Sequence, residues 1–263
     1  MIERYMSNSE YETHFVTLFG LRSRIGRELP IKRRMRILDV ATGEGFFALE
    51  IARLYDNVKV VGIDISRSVV REARGNVGKE NAQDLIEIVE MDAVKMRFSE
   101  GEFDIAVNFT GLEDILMTRG KSGVQQTFSE VSRVLKPDSN YCFVIMPPDE
   151  METNAQKIEA TLFSYICGAT WLNSKEYETM LEEAKFKLCE KRSYGTYMKF
   201  TSQQAKNEIK YIIRRVPKVY GVSTPAFEEI WTRFGQDIEK NGLGCYSKVL
   251  LMIARKIEDV DDR

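Results

Sequence analysis

The chain has 263 residues, is 43% hydrophobic and sets 38 Lys and Arg against 40 Asp and Glu, a net charge of -2. That length accommodates one large domain, or one and a half, around a sizeable core; the balanced charge supplies no global field for a polyanion, so nucleic acid is not the expected partner. Four cysteines without a C-x-x-C pair argue against a zinc knot or disulfide framework, and no run approaches the roughly 20 apolar residues of a membrane span, so a cytoplasmic protein with reduced, mostly buried thiols is expected.

The first residues, MIERYMSNSE, lack the apolar core of a signal peptide. Residues 1–33 are expected to form an N-terminal helical cap segment. Within it, SEYETHFVTLF carries His14, the one histidine and a candidate general base, although a lone histidine on an amphipathic helix is more often a surface or packing residue. The basic run Arg22, Arg24, Arg27, Lys32, Arg33, Arg34 and Arg36 reads as a solvated flank leading into the first strand, the alternative being attraction of an anionic substrate or RNA. From Arg36 to Pro147, the apolar runs MRILDV, VKVVGIDI, LIEIVEM, FDIAVNF and YCFVIM alternate with helical patterns. That alternation predicts an α/β fold, a parallel doubly wound sheet with helices on both faces. Ser66 is placed to cap the helix after the second strand, and Lys136-Pro137-Asp138-Ser139 is turn chemistry ahead of the fifth. Glu113 and Asp114 follow the fourth run; Glu113 is a second candidate base, with the plainer reading that both acids open a helix.

Downstream a helical stretch is expected at about 149–171, followed by KEYETMLEEAKF capped by Ser174, and KLCEKRSYGTYMKF as a strand pair or one long bent strand. Two amphipathic helices follow within 201–243, the second opening at Thr224-Pro225, before CYSKVLLMIARKI, which is apolar enough to be a sheet strand. Residues 34–263 thus read as one domain with helical insertions at about 149–171 and 201–243. Tyr165, Trp171, Trp231 and Phe234 make these insertions the candidate substrate lid, although aromatic residues at helical spacing usually pack a core.

LDVATGEGFFALEIA, residues 38–52, is a strand end that breaks into a glycine loop and resumes as a helix. Amides at such a helix start suit anions, and Gly43-Glu44-Gly45-Phe46-Phe47-Ala48 fits the dinucleotide pattern G-x-G-x-x-A, with Asp64 where a ribose-binding carboxylate belongs. Charge argues against a pyrophosphate. Unit charges about 4 Å apart interact by roughly 4 kcal/mol at an effective dielectric near 20, and Asp39 at the strand tip and Glu44 in the loop are both badly placed for an anion. They suit a ligand with a cationic end. S-adenosylmethionine offers an ammonium and a sulfonium, a carboxylate for loop amides, a ribose diol for Asp64 and an adenine amino group for Asp92. A nicotinamide dinucleotide explains Asp64 but leaves Asp39 and Asp92 without a task. Asp39, Asp64, Asp92 and Asn108 all fall at strand ends, where doubly wound sheets bind ligands.

Asp39-Val40-Ala41-Thr42-Gly43-Glu44-Gly45, followed by VVGIDIS, MDA, FDIAVNF and SEVSRVLKPDSNYCFVIM, resembles the class I S-adenosylmethionine-dependent methyltransferases over roughly residues 34–147. Weaker matches lie near SKEYETMLEEAKF and CYSKVLLMIARK. Two positions depart from the family pattern: Ala41 stands where glycine is usual, and Asn108-Phe109-Thr110-Gly111 is unlike the N-P-P-Y type motif of enzymes that methylate amino nitrogens of bases or glutamine. The resemblance implies a Rossmann-like seven-stranded sheet with the last strand antiparallel. It places the methionine part on Asp39 and the backbone of Ala41, Gly43 and Gly45, and the ribose on Asp64. Adenine falls between Ile65 and Ala93 with its amino group on Asp92, and Asn108 lines the floor near the methyl. The expected activity is methyl transfer to a small-molecule acceptor, leaving S-adenosylhomocysteine. The alternatives are a noncatalytic subunit that keeps the ligand, and an RNA or protein methyltransferase.

Overall fold

The computed structural model describes residues 20–257, so His14 and most of the 1–33 segment lie outside the described residues. After a helical stretch at 20–26 (α1), the chain forms β1 (Arg36–Val40), α2 (Phe46–Leu54), β2 (Lys59–Asp64), α3 (Arg67–Lys79), β3 (Ile86–Glu90), β4 (Phe103–Phe109), α4 (Leu112–Val134) and β5 (Leu135–Ile145). It continues with α5 (Asn154–Cys167), α6 (Ser174–Glu183), β6 (Phe186–Gly195), β7 (Lys199–Phe200), α7 (Ser202–Tyr220), α8 (Phe227–Asn241), β8 (Leu243–Gly244) and β9 (Lys248–Lys256). Seven strands form one sheet in the order β3-β2-β1-β4-β5-β9-β6, with the last strand antiparallel. β1 pairs in parallel with both β2 and β4, Asp39 lying opposite Gly62 on one side and Val107 on the other. Helices cover such a sheet on both faces, which is why its central strands read as unbroken apolar runs: Ile37, Leu38, Val40, Ile105, Ala106 and Val107 are all buried.

By internal contacts the chain divides into two compact units. Among the described residues, one comprises Arg22–Ile145, Lys175–Arg192 and 251–257; the other comprises 20–21, Met146–Ser174 and Ser193–Leu250. In the first unit an aromatic cluster packs α4 and α6 on the sheet: Phe128 lies edge-on to Tyr141 at 5.6 Å, and Tyr177 is 6.2 Å from Phe143. In the second, α5 contacts α8, and α7 contacts α8. There Glu159 on α5 accepts from the Tyr246 and Ser247 amides at 2.5 and 3.4 Å and from the Ser247 hydroxyl at 2.8 Å.

Several local expectations are revised. KLCEKRSYGTYMKF divides between two sheets, because β6 joins the large one while β7 pairs antiparallel with β8, Lys199 opposite Gly244 and Phe200 opposite Leu243. The short ribbon brackets α7 and α8. Lys136-Pro137-Asp138-Ser139 does not precede β5 but bulges within it: Phe103 faces Leu135 and Ile105 faces Asn140, and Asp138 absorbs the slack at φ 59°. α8 begins at Phe227 rather than at Pro225, because the Thr224 hydroxyl donates to the Ile213 carbonyl and leaves the N-cap position to Ala226. Of the four thiols only Cys142 and Cys245 are buried, and none is joined in a disulfide.

Candidate functional site

The loop after β1 is built on alternating left-handed residues. Ala41, Gly43 and Gly45 have φ of 51, 56 and 80°, so every second residue reverses the chain's sense and coils it tightly into α2. Glycine adopts this conformation freely; for alanine it costs about 1 kcal/mol. A Cβ on Gly43 would meet nothing, so its backbone angle, not space, demands glycine. Gly62 on the neighbouring strand is the opposite case. A Cβ there would stand 2.8 Å from Thr42 Oγ1, and the missing side chain lets Thr42 enter.

Thr42 then bonds twice, its amide donating to the Ile63 carbonyl at 2.8 Å and its hydroxyl to Asp39 Oδ2 at 2.5 Å. Asp39 is buried, and its other oxygen, Oδ1, makes no hydrogen bond among the described residues. Burial pushes the Asp39 carboxyl up to about 7, with the Thr42 hydroxyl, the Arg22 charge and, last, the Ala48 amide opposing, while Asp64 adds to the rise. A buried carboxyl oxygen without a donor is a costly feature to retain, and it marks a place for a cationic or donating ligand.

Asp64, at the end of β2, accepts from the Gly43 amide at 3.1 Å and the Ser66 amide at 2.9 Å. Burial is the first cause of its raised pKa, opposed by these amides. Ser66 does occupy the N-cap position of α3, yet its hydroxyl pairs with Ser68 at 3.1 Å and caps nothing. Gly45 donates to the Thr42 carbonyl at 3.0 Å, so the Gly43 and Gly45 amides, expected to face a ligand, are both occupied, one by Asp64 and one within the loop. Beyond Asp64, Ile65 is 42% exposed while Ala93 is buried. Asp92 accepts from the Val94 amide at 3.1 Å and pairs with Arg119 at 2.5 Å.

Asn108 is fully buried at the tip of β4. Its amide nitrogen donates to the Val40 carbonyl at 2.6 Å and its oxygen accepts from Gly111 at 3.3 Å, so the side chain ties the tips of β1 and β4 together. Gly111 has no room for a side chain, since a Cβ would stand 2.7 Å from both Ala41 Cβ and Asn108 Nδ2. Glu113 is buried in the first turn of α4, with Asp114 beside it.

Asp39, Ala41, Thr42 and Glu44 line a small, open-mouthed concavity with Phe46, Phe47, Phe109 and Arg22. Arg22 is the residue that sequence reasoning missed. Expected in a solvated flank, it lays its guanidinium 5.4 Å from the Phe46 ring centre and 5.3 Å from that of Phe109, where its charge acts on Asp39. Its sequence context, a run of basic residues, contains no signal that singles it out; α1 does. The cavity thus has a carboxyl with a bare oxygen, one cation and an aromatic wall. That set fits a zwitterion with an additional soft cation far better than a pyrophosphate. Among the described residues no group of three or more His, Cys, Asp or Glu could hold a metal ion, and no helix is long and apolar enough to cross a membrane.

Comparison with known proteins identifies the family. The sequence profile of a family described as "Methyltransferase domain" matches residues 31–185, more than half of the chain. A malonyl-[acyl-carrier protein] O-methyltransferase of Legionella pneumophila is 32% identical over 114 residues, 43% of this chain and 37% of that protein. A demethylmenaquinone methyltransferase of Staphylococcus saprophyticus is 24% identical over 175 residues, 65% of this chain and 70% of its own length. Among solved structures, the [4+2]-cyclase SpnF superposes with a TM-score of 0.62 at 19% identity, over 91% of this chain and 81% of that one, a likeness of fold alone. The match to the Legionella relative spans well under half of that protein.

Proposed function

This chain belongs to the class I S-adenosylmethionine-dependent methyltransferases, and from that premise we propose that it methylates a small, partly apolar acceptor, with the donor's methionine end held in the Asp39 cavity. The observation that carries the reading is the bare, buried Asp39 Oδ1 beside Arg22. Asp39 takes the ammonium. Arg22 takes the carboxylate, because the Gly43 and Gly45 amides are already engaged. Asp64 keeps lone pairs for the ribose diol, since each of its oxygens accepts one backbone amide and has capacity for more. Ile65 and Ala93 flank adenine, and Asp92 receives its amino group. Asn108 shapes the floor by fixing the strand tips rather than by offering a free polar end.

Bound there, S-adenosylmethionine supplies an electrophilic methyl on a sulfonium. The chain's own contribution is alignment and a dry wall, from Phe46, Phe47 and Phe109, which lowers the barrier to an in-line displacement without requiring a general base. Acceptor selectivity is assigned to the helical insertions. In them Trp171 stacks on Phe163 at 6.1 Å and Phe234 lies 5.5 Å from Tyr165, so most of the aromatic surface packs against itself.

Thermal unfolding with S-adenosylmethionine, S-adenosylhomocysteine or NAD in large excess tests the donor site. A ligand at about 100 times its dissociation constant adds roughly 2.7 kcal/mol and raises the midpoint by several degrees. Shifts are expected with the two sulfur ligands only; a shift with NAD alone overturns the charge argument. Joining residue 200 to 243 by a short linker, which the β7–β8 ribbon permits, is expected to spare donor binding and abolish turnover. Transfer of labelled methyl from the donor to material in a cell extract separates an enzyme from a noncatalytic subunit.

A further inference from the structure

α4 is two helical segments joined directly after Arg119, where Gly120 has φ 68° and ψ -174°. The bend brings the chain so close to itself that a Cβ on Gly123 would lie 2.1 Å from Arg119 Cβ, so that position too demands glycine. The segment beyond the bend is fixed by Lys121, which pairs with Glu176 of α6 at 2.7 Å. The result is that Arg119 reaches a residue 27 positions earlier and places Nη2 at 2.5 Å from Asp92 Oδ2.

Stability does not explain this construction. Glycine inside a helix costs about 1 kcal/mol per residue relative to alanine, whereas exposed ion pairs contribute roughly 0 to 1 kcal/mol. The two partners here are 45% and 29% exposed. Two glycines and a broken helix therefore cost more than the pair returns. What the bend does achieve is orientation: Asp92 Oδ1 is held by the Val94 amide and Oδ2 by Arg119, which leaves the carboxylate one defined rotamer with a lone pair still open on each oxygen.

We propose that Arg119, aimed by the Gly120 bend, is a positioning residue of the adenine subsite that locks Asp92 for the exocyclic amino group and so sets selectivity for a 6-amino purine over a 6-oxo purine. This rests on the assignment of Asp92 to adenine made above. An acceptor-only carboxylate meets a donor in the amino purine and another acceptor in the oxo purine, and a fixed carboxylate has less freedom to turn away from that mismatch.

The test is calorimetric titration of the full chain with S-adenosylhomocysteine and S-inosylhomocysteine. The unaltered protein is expected to favour the amino ligand by roughly ten- to a hundredfold, the worth of one hydrogen bond to a charged group. Arg119→Gln is expected to bring that ratio toward unity, and Arg119→Lys to restore part of it. In an Asp92→Asn background Arg119→Gln is expected to change the ratio no further, because the arginine acts through the carboxylate. A ratio unchanged by Arg119→Gln, a complex of Arg119→Gln with the amino ligand tighter than that of the unaltered protein, or an undiminished effect of Arg119→Gln in the Asp92→Asn background overturns the proposal while leaving the donor site intact. If the unaltered protein binds neither ligand, the donor-site reading itself fails and the proposal fails with it. Unfolding midpoints of each variant separate loss of selectivity from loss of fold.

Discussion

Asp39 and Glu159 are both buried carboxyls that burial pushes up to about 7, yet they do different work. Glu159 receives two backbone amides and a hydroxyl from Tyr246 and Ser247, and a Cβ on Gly244 would come within 2.3 Å of its Oε2, so protein closes around it. Asp39 receives one hydroxyl, keeps a bare oxygen and lines a cavity with Arg22 and aromatic rings. Equal burial and equal pKa therefore do not identify a site. What separates this pair is the number of donors delivered together with the place of the open oxygen: Glu159 is satisfied inside the fold, whereas Asp39 keeps an oxygen without a donor in a concavity that a ligand can enter.

Substitution should separate the two most sharply. Glu159→Ala removes three hydrogen bonds and strands their buried donors, so denaturant titration should show a loss of about 3 kcal/mol with S-adenosylhomocysteine affinity little changed. Asp39→Asn should do the reverse. Affinity for S-adenosylhomocysteine is expected to fall by roughly 2 kcal/mol, about thirtyfold, while the ligand-free midpoint holds or rises, since an uncharged amide carries less desolvation cost. Equal losses of stability in both variants would erase the distinction.

Proton linkage sharpens the same comparison. Both folded-state values, about 7, lie above the unfolded ones, 3.8 for Asp39 and 4.5 for Glu159. Between roughly pH 4 and 7 the folded state holds more protons, so each group's contribution to stability is present at low pH and is lost as pH rises through about 7. An ammonium ligand favours ionised Asp39. Its binding is thus expected to release a proton near pH 6.5 and to tighten as pH rises through about 7, seen as buffer-dependent binding heats that vanish in Asp39→Asn. Glu159→Gln should leave those heats in place.

The smallest effect concerns the loop itself. Ala41 holds φ 51°, and Ala41→Gly should raise stability by about 0 to 0.5 kcal/mol, the relief of left-handed strain less the entropy returned to the unfolded chain. A loss of stability would mean that Ala41 Cβ packs against Gly111 more tightly than its backbone is strained.

Taken alone, the sequence determined the sheet and the ends of its strands. Apolar runs separated by helical patterns can bury both faces only in a parallel sheet, and that periodicity is local information. It also determined the loop, because alternating small residues at 41, 43 and 45 are needed by backbone angles that are local too. It placed Asp39, Asp64, Asp92 and Asn108 at strand tips but not their partners. Only the tertiary structure decided that Arg22 enters the cavity rather than solvent, that the Gly43 amide is taken by Asp64 and the Gly45 amide by the Thr42 carbonyl, and that Arg119 reaches Asp92. Thr224 likewise looked like a helix start and instead bonds Ile213, eleven residues away. In each case a polar side chain or a backbone donor chose among several possible partners. That choice depends on which groups the folded chain brings within about 3 Å of one another, a distance that hydrophobic periodicity does not encode.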